Sequence, residues 1–359
     1  MASAPAADAQ TDAPPPPVAV TRERLLALPK PELHVHLDGS LRPATLIELA
    51  RERRQALPVW EPDELARQMV ASDTQSLEAY PAHFDTILSV MQDADAIERV
   101  AYELAEDNAR ENVRYLEVRY SPTLTTRDGL SPADAVDASL RGLARAEAVF
   151  PIDTALIVSG LRNLDPSTSG MLADLAVSYK GKGVVAFDLA GAEHGHPAKE
   201  HREAFLAVAG AELGVTVHAG EGYGPDSIRQ ALRDCRAHRI GHGTRLREDA
   251  DLIRYVKDVG IPLEVCITSN VQTGAVPSYE EHPVRSYFDQ GLVVTLNTDN
   301  RLVSGTTLTD EYWKAHRHLG FTWSELQQVA RMGFQSAFLP QDDKVALLER
   351  VELEMGALP

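Results

Sequence analysis

The chain has 359 residues, 44% of them apolar, and a formal charge of −18 at pH 7. With no run of Lys or Arg that could form a basic stripe, that charge excludes a nucleic-acid binder that works by displacing phosphate counterions. It also disfavours a free polyanion as substrate, so a neutral small molecule fits better. Cys235 and Cys266 make neither a CxxC pair nor a disulfide framework, which suits a reducing cytoplasm. No stretch reaches the ~20 apolar residues that cross a bilayer, so no membrane partner is expected.

The first 20 residues, MASAPAADAQTDAPPPPVAV, carry no basic start and no long apolar run. They read as a disordered tail and not as a signal peptide, with one domain following over 21–359. From there short apolar runs alternate with helical patterns, as in βα units on a parallel sheet. The predicted strands are Leu33–Leu37, Val113–Tyr120, Ile152–Val158, Val184–Leu189, Val215–His218, Arg239–Gly241, Leu263–Ile267 and Leu292–Asn297. Eight such strands are what a single closed TIM (β/α)8 barrel requires. About 75 residues separate the first two, too many for one crossover helix. Pro62–Val70 and Leu77–Met91 read as helices there, with Pro81 set to kink or restart the second. This helical insertion after the first strand would lie over the rim where barrel active sites form.

Several polar residues fall at the ends of these strands. In Glu32-Leu33-His34-Val35-His36, strand alternation sends His34 and His36 to one side. His218 closes the fifth strand, with Glu221 in the turn beyond it. His242 follows the sixth strand between two glycines, and Asp299 follows the eighth. Taken singly, each is as well read as a hydrogen-bonded polar group at a strand end. Together they would all land on the C-terminal rim. Three imidazoles and a carboxylate make a mononuclear zinc set with a position left for water, and Glu221 and His242 are then free for acid–base work. The other eight histidines, His194, His196, His316 and His318 among them, lack this placement and read as surface or loop residues.

Other metal chemistries fit less well. There is no HExxH helix, and no H-x-E paired with P-C-x-x-C. Two-metal hydrolases on this fold bridge their ions with a modified lysine on the fourth strand. Here that strand ends Phe187-Asp188-Leu189-Ala190-Gly191, and Lys180 and Lys182 stand before it, at the wrong end.

From about residue 28 almost to the C-terminus the chain resembles the metal-dependent adenosine/AMP deaminase family of the amidohydrolase superfamily. The resemblance is carried by ELHVHLDGS, YLEVRYSP, FDLAG, HAGE, RIGHG, LEVC with TSNVQTGA, LNTD and Ala337-Phe338-Leu339-Pro340. It implies an adenosine deaminase that converts adenosine and 2′-deoxyadenosine to their inosines, with one zinc per chain held by His34, His36, His218 and Asp299. His242 would orient the attacking water and help take its proton, a role shared with Asp299, and Glu221 would protonate ring N1. Gly191 would offer its backbone N–H to N3, where lack of a Cβ permits close approach. Asp38 would contact the ribose 5′-hydroxyl, which favours a nucleoside over free adenine, since adenine-base relatives carry glutamate there. Leu77, Tyr80 and Phe84 align with an apolar gate over the sugar, although i, i+3, i+7 spacing fits ordinary helix core equally. One departure stands out. Where the family has a second aspartate and then proline, this chain has Asn300 and Arg301; the amide NH₂ can donate to purine N7 in place of a protonated carboxyl. The competing readings are a deaminase of another 6-aminopurine, such as adenine or 6-aminodeoxyfutalosine, and a non-catalytic nucleoside-binding relative.

Overall fold

The computed structural model describes residues 18–70 and 80–358. The expected tail falls almost wholly on residues 1–17, outside the described residues. Eight strands, Lys30–His36 (β1), Val113–Tyr120 (β2), Asp153–Leu161 (β3), Val184–Ala190 (β4), Gly214–Ala219 (β5), Arg239–His242 (β6), Leu263–Val265 (β7) and Val294–Leu296 (β8), pair in chain order. Every pairing is parallel. The ring is completed just past β8. His36 N–H donates to Asp299 O at 2.7 Å, and Asp299 N–H donates to His34 O at 2.9 Å. The architecture is the expected (β/α)8 barrel.

The strands differ from expectation mainly at their ends. β7 stops at Val265 because the helix Ile267–Gln272 already starts there. β8 stops at Leu296 because the Asn297 side chain turns onto β1 and accepts from Leu33 N–H at 3.0 Å. Between β1 and β2 lie helices Pro43–Arg53, Pro62–Met69, Tyr80–Leu88 and Ala94–Arg110. Two answer the expected pair, and Leu77 lies outside the described residues. Pro81 lies in the helix Tyr80–Leu88. The helix Ala94–Arg110 packs against Pro132–Glu147, whose start carries a capping box between Ser131 and Asp134. Among the described residues no helix is long and apolar enough to cross a membrane.

Alternation explains what lines the barrel. The outward residues of β2, Leu116 and Val118, are apolar and meet the helices, while Glu117 and Arg119 face inward and are fully buried. Asp188 on β4, Thr216 on β5, Arg239 on β6 and Glu264 on β7 are buried with them. The apolar core therefore lies between sheet and helices, and the barrel axis is polar.

Candidate metal centre and active site

At the C-terminal ends of the strands five side chains converge. One ligand atom from each of His34, His218, His242 and Asp299 lies within 4.8 Å of the others. His36 joins them, its Nε2 standing 3.1 Å from His218 Nε2 and 3.3 Å from Asp299 Oδ1. His34, His36 and His218 arrive on the inward lines of β1 and β5. His242 does not, since alternation from Arg239 and Gly241 would point it outward. Its backbone is left-handed, with φ of 63°, and so is that of Asp299, with φ of 61°. Such conformations are costly away from glycine and cluster at functional sites.

The inward polar groups hold these side chains. His34 Nδ1 donates to Glu264 Oε2 at 2.9 Å, and His218 Nδ1 donates to Asp188 Oδ1 at 3.0 Å. Because a carboxylate only accepts, each ring keeps its proton on Nδ1 and presents a bare Nε2 to the centre. Arg119 braces both carboxylates. It donates to Glu264 Oε2 at 2.9 Å and stands 3.7 Å from Asp188 Oδ2. Glu264 Oε1 also accepts from Arg239 Nε at 2.6 Å and Thr216 Oγ1 at 2.9 Å. Ser269 Oγ donates to Asp299 Oδ2 at 2.6 Å. Burial pushes His34 down to about 4 and His36 well below the ordinary imidazole value, so both are neutral ligands in waiting. Burial also opposes charge on His218, but Asp188 outweighs it and raises that ring. Asp188 and Glu264 resist burial in turn. His218 and Arg119 hold the first below the ordinary carboxylate range, and Arg119 and Arg239 hold the second.

Glu221 stands on the other side of His242, with Oε2 3.5 Å from His242 Nε2. Its Oε1 accepts from Thr273 Oγ1 at 2.9 Å and from Asn270 Nδ2 at 3.4 Å. The turn that carries it is gripped by the buried Glu193. That carboxylate accepts from the backbone N–H groups of Gly220, Glu221 and Gly222 at 3.0, 2.8 and 3.0 Å. Asn270 also reaches His242 Nδ1 at 3.0 Å and His282 Nε2 at 3.2 Å. The expectation that all remaining histidines are surface or loop residues is corrected at His201, which ends the 3-10 turn Ala198–His201 and is buried in a clip that joins Ser169 Oγ, at 2.8 Å, to Arg162 O. His282 lies in a loop as expected, but is buried.

The other expected site residues are placed as follows. Asp38 is buried one turn beyond β1. Its Oδ1 has no hydrogen-bond partner among the described residues, and burial pushes the carboxyl up to about 7. Gly191 is exposed at the end of β4 with φ of 92°, which a side chain would strain. Asn300 is buried against Gly39, where a Cβ would stand 1.8 Å from Asn300 Oδ1. Phe84 is half-buried against the core. Tyr80 belongs to the helix Tyr80–Leu88. Arg301 points away from the centre and pairs with Glu111 at 2.5 Å. Glu264, Arg119, Asp188, Glu193, Ser269, Asn270 and His282 were not foreseen as site residues. A signal for some of them existed, since Asp188 and Glu264 are each the one charged residue of an otherwise apolar strand.

A parallel barrel with buried imidazoles and carboxylates gathered at its C-terminal rim has the layout of an amidohydrolase-type enzyme built on a metal-binding cluster. A family model described as adenosine deaminase matches residues 29–354, and the chain belongs to the adenosine deaminase family, whose members are hydrolytic deaminases. It is 38% identical over 351 residues to an adenosine deaminase of Mycobacterium avium, covering 92% of this chain and 95% of that one. It is 41% identical over 327 residues to a probable adenosine deaminase of Dictyostelium discoideum; the match covers 91% of this chain and 42% of that longer protein. A crystal structure of an amidohydrolase from Burkholderia ambifaria, determined with bound Zn, superposes with a TM-score of 0.84 at 27% identity, covering 95% of this chain and 96% of that one.

Proposed function

We propose that the chain is a zinc enzyme that hydrolyses adenosine, and 2′-deoxyadenosine, to the corresponding inosine and ammonia. The observation that carries the reading is Glu221 standing 3.5 Å from His242 beside a buried cluster of imidazoles and a carboxylate. The cluster fits a cation. His34 Nε2 is buried with no hydrogen-bond partner among the described residues, and His36 Nε2 faces His218 Nε2 at 3.1 Å. His34, His36, His218 and Asp299 would hold one zinc ion per chain. When bound, the ion supplies a Lewis acid that makes a water acidic near neutrality.

The chain's own groups do the rest. Asp299 and His242 flank the water that adds to purine C6 and manage its proton. As the C6–O bond forms, an electron pair moves onto N1, and Glu221 places a proton there. The proton taken from water passes to the amino nitrogen, the C6–N bond breaks, and ammonia leaves. The remaining hydroxyl hydrogen returns to Glu221 as C6 becomes a carbonyl. Gly191 N–H, exposed at the rim, serves ring N3, and Asn300 serves N7. Asp38 receives the ribose 5′-hydroxyl, and Phe84 of the helical insertion covers the sugar.

The test is a substrate panel. The purified, zinc-loaded protein is given adenosine, 2′-deoxyadenosine, adenine, AMP and 6-aminodeoxyfutalosine, and ammonia release is followed. Adenosine and 2′-deoxyadenosine are expected to lead by orders of magnitude in kcat/KM; a lead for adenine or 6-aminodeoxyfutalosine overturns the substrate, and no turnover of any overturns the activity.

A further inference from the structure

His242 is held by a run of hydrogen bonds that begins at the backbone. Val284 N–H donates to His282 Nδ1 at 3.2 Å. A backbone amide can only donate, so His282 Nδ1 bears a lone pair and the neutral ring carries its proton on Nε2. Burial keeps that ring neutral. The Nε2–H then donates to Asn270 Oδ1 at 3.2 Å, which fixes the orientation of the amide. Asn270 Nδ2 is thereby turned to His242 Nδ1 at 3.0 Å and to Glu221 Oε1 at 3.4 Å. The flipped amide fails twice. It would set an N–H against the N–H of His282 and an oxygen against the carboxylate of Glu221.

We infer that Asn270 and His282 are positioning residues that lock His242 as its Nε2–H tautomer, so that His242 works as a hydrogen-bond donor and Asp299 alone accepts the proton of the attacking water. The inference rests on the proposed deamination and sharpens one step of it. While the relay holds, neither nitrogen of His242 can take a proton. Nε2 already carries one, and Nδ1 faces an amide N–H. The same tautomer also sorts the cluster. The His242 ring lies 4.8 Å from that of His34 and 5.2 Å from that of His218, close enough to compete for a cation. Its inward nitrogen carries a hydrogen, whereas His34 and His218 present bare Nε2 atoms because Glu264 and Asp188 hold their Nδ1–H groups. Opposite second partners thus give chemically opposite imidazoles in one cluster. Carboxylates behind His34 and His218 make them ligands, and an amide N–H behind His242 makes it a donor.

Neutron diffraction from deuterated crystals of the zinc-loaded protein, without substrate, reads the tautomer directly. Deuterons are expected on Nε2 of His242 and of His282, with none on Nδ1 of His242. A deuteron on His242 Nδ1 overturns the inference. Asn270→Asp puts an acceptor where the amide N–H was, and is expected to move the deuteron to His242 Nδ1. Zinc should stay at one per chain and KM within about threefold, while kcat falls by about 10²-fold or more. Unchanged kcat with a moved deuteron overturns the donor role. A second pair of variants separates positioning from packing. His282→Gln keeps a donor for Asn270 Oδ1 and is expected to retain kcat within about fivefold, whereas His282→Leu loses the donor and falls at least about tenfold below His282→Gln. Equal losses in the two make His282 a packing residue only. The neutron result does not depend on which 6-aminopurine is turned over, so a failed adenosine assay beside a deuteron on Nε2 overturns the substrate and leaves the relay standing.

Discussion

Glu193 offers a way to disturb the acid of the site without touching it or any metal ligand. Its carboxylate accepts three backbone N–H bonds from the turn Gly220–Gly222, at 2.8–3.0 Å. Each bond to a carboxylate contributes about 1.5–3 kcal/mol net, so Glu193→Ala has a ceiling of about 9 kcal/mol. The turn lies at the rim, where water can enter and satisfy part of it, and about 2 kcal/mol is expected. Glu193→Gln is subtler. The retained oxygen, in the place of Oε1, can still serve Glu221 and Gly222. The new NH₂ replaces Oε2 and confronts Gly220 N–H, a cost of about 1–3 kcal/mol that falls on the turn itself. Turning the amide the other way confronts two N–H groups and is worse. Urea unfolding with an unchanged m-value gives the stability loss. Steady-state kinetics should show kcat reduced by about tenfold or more in both variants, because Glu221 is displaced from the ring nitrogen it must reach. Zinc content should be unchanged, since the grip on His34, His36, His218 and Asp299 is untouched. If both variants stay within about 0.5 kcal/mol and twofold of the parent in kcat, the turn is positioned by its own backbone and the reasoning fails.

Three further outcomes are expected. Asp188→Asn should weaken zinc retention by about 10–100-fold in competition with a chelator, because His218 loses the carboxylate that orients it. Deamination of 7-deazaadenosine should be much slower than that of adenosine in the parent protein but nearly equal to it in Asn300→Ala, since the amide then has no N7 to lose; equal discrimination in both removes Asn300 from the recognition of N7. Burial pushes His282 down to about 3, so between that value and about 6.5 the unfolded chain binds a proton that the folded chain does not. Stability therefore falls as pH drops through that window, by up to about 1.4 kcal/mol per pH unit from this residue, and His282→Gln should flatten the acid-side dependence measured by urea unfolding at about pH 6.5 and about pH 5.

The barrel was legible because its strands are short apolar runs at βα spacing, and the five converging residues were legible because each follows such a run. The partners behind them were harder to see. In Val113–Tyr120 the outward line is plain, but Glu117 and Arg119 on the other line look like surface positions of a half-exposed strand. Only closure of the sheet turns that line inward and buries it. His282 and Glu193 sit in loops with no periodic pattern, and their roles depend on backbone N–H groups that fold back onto them. His242 was placed by its position at the end of the sixth run, while alternation alone would send it outward; the left-handed backbone that redirects it has no signature beyond the glycines at either side.

Charge explains why a polar axis is tolerable in this barrel. His34 leads to Glu264, and Glu264 to Arg119 and Arg239; Arg239 leads on to Glu117, and Arg119 back to Asp188 and His218. With Asp299 at the rim, the connected groups are the carboxylates of Glu117, Asp188, Glu264 and Asp299 against two guanidiniums. Glu32, pushed up to about 8 by burial, stays protonated near neutrality and adds no charge. Neutral imidazoles leave this network two negative charges short of balance. Buried charge without a partner costs several kcal/mol per ion, so the network alone would be a liability. Moving a proton onto His218 covers half the deficit, in line with its raised affinity for one. A divalent cation held by His34, His36, His218 and Asp299 would cover all of it and displace that proton, so that metal binding and the pairing of the barrel's interior charges would be one thermodynamic event.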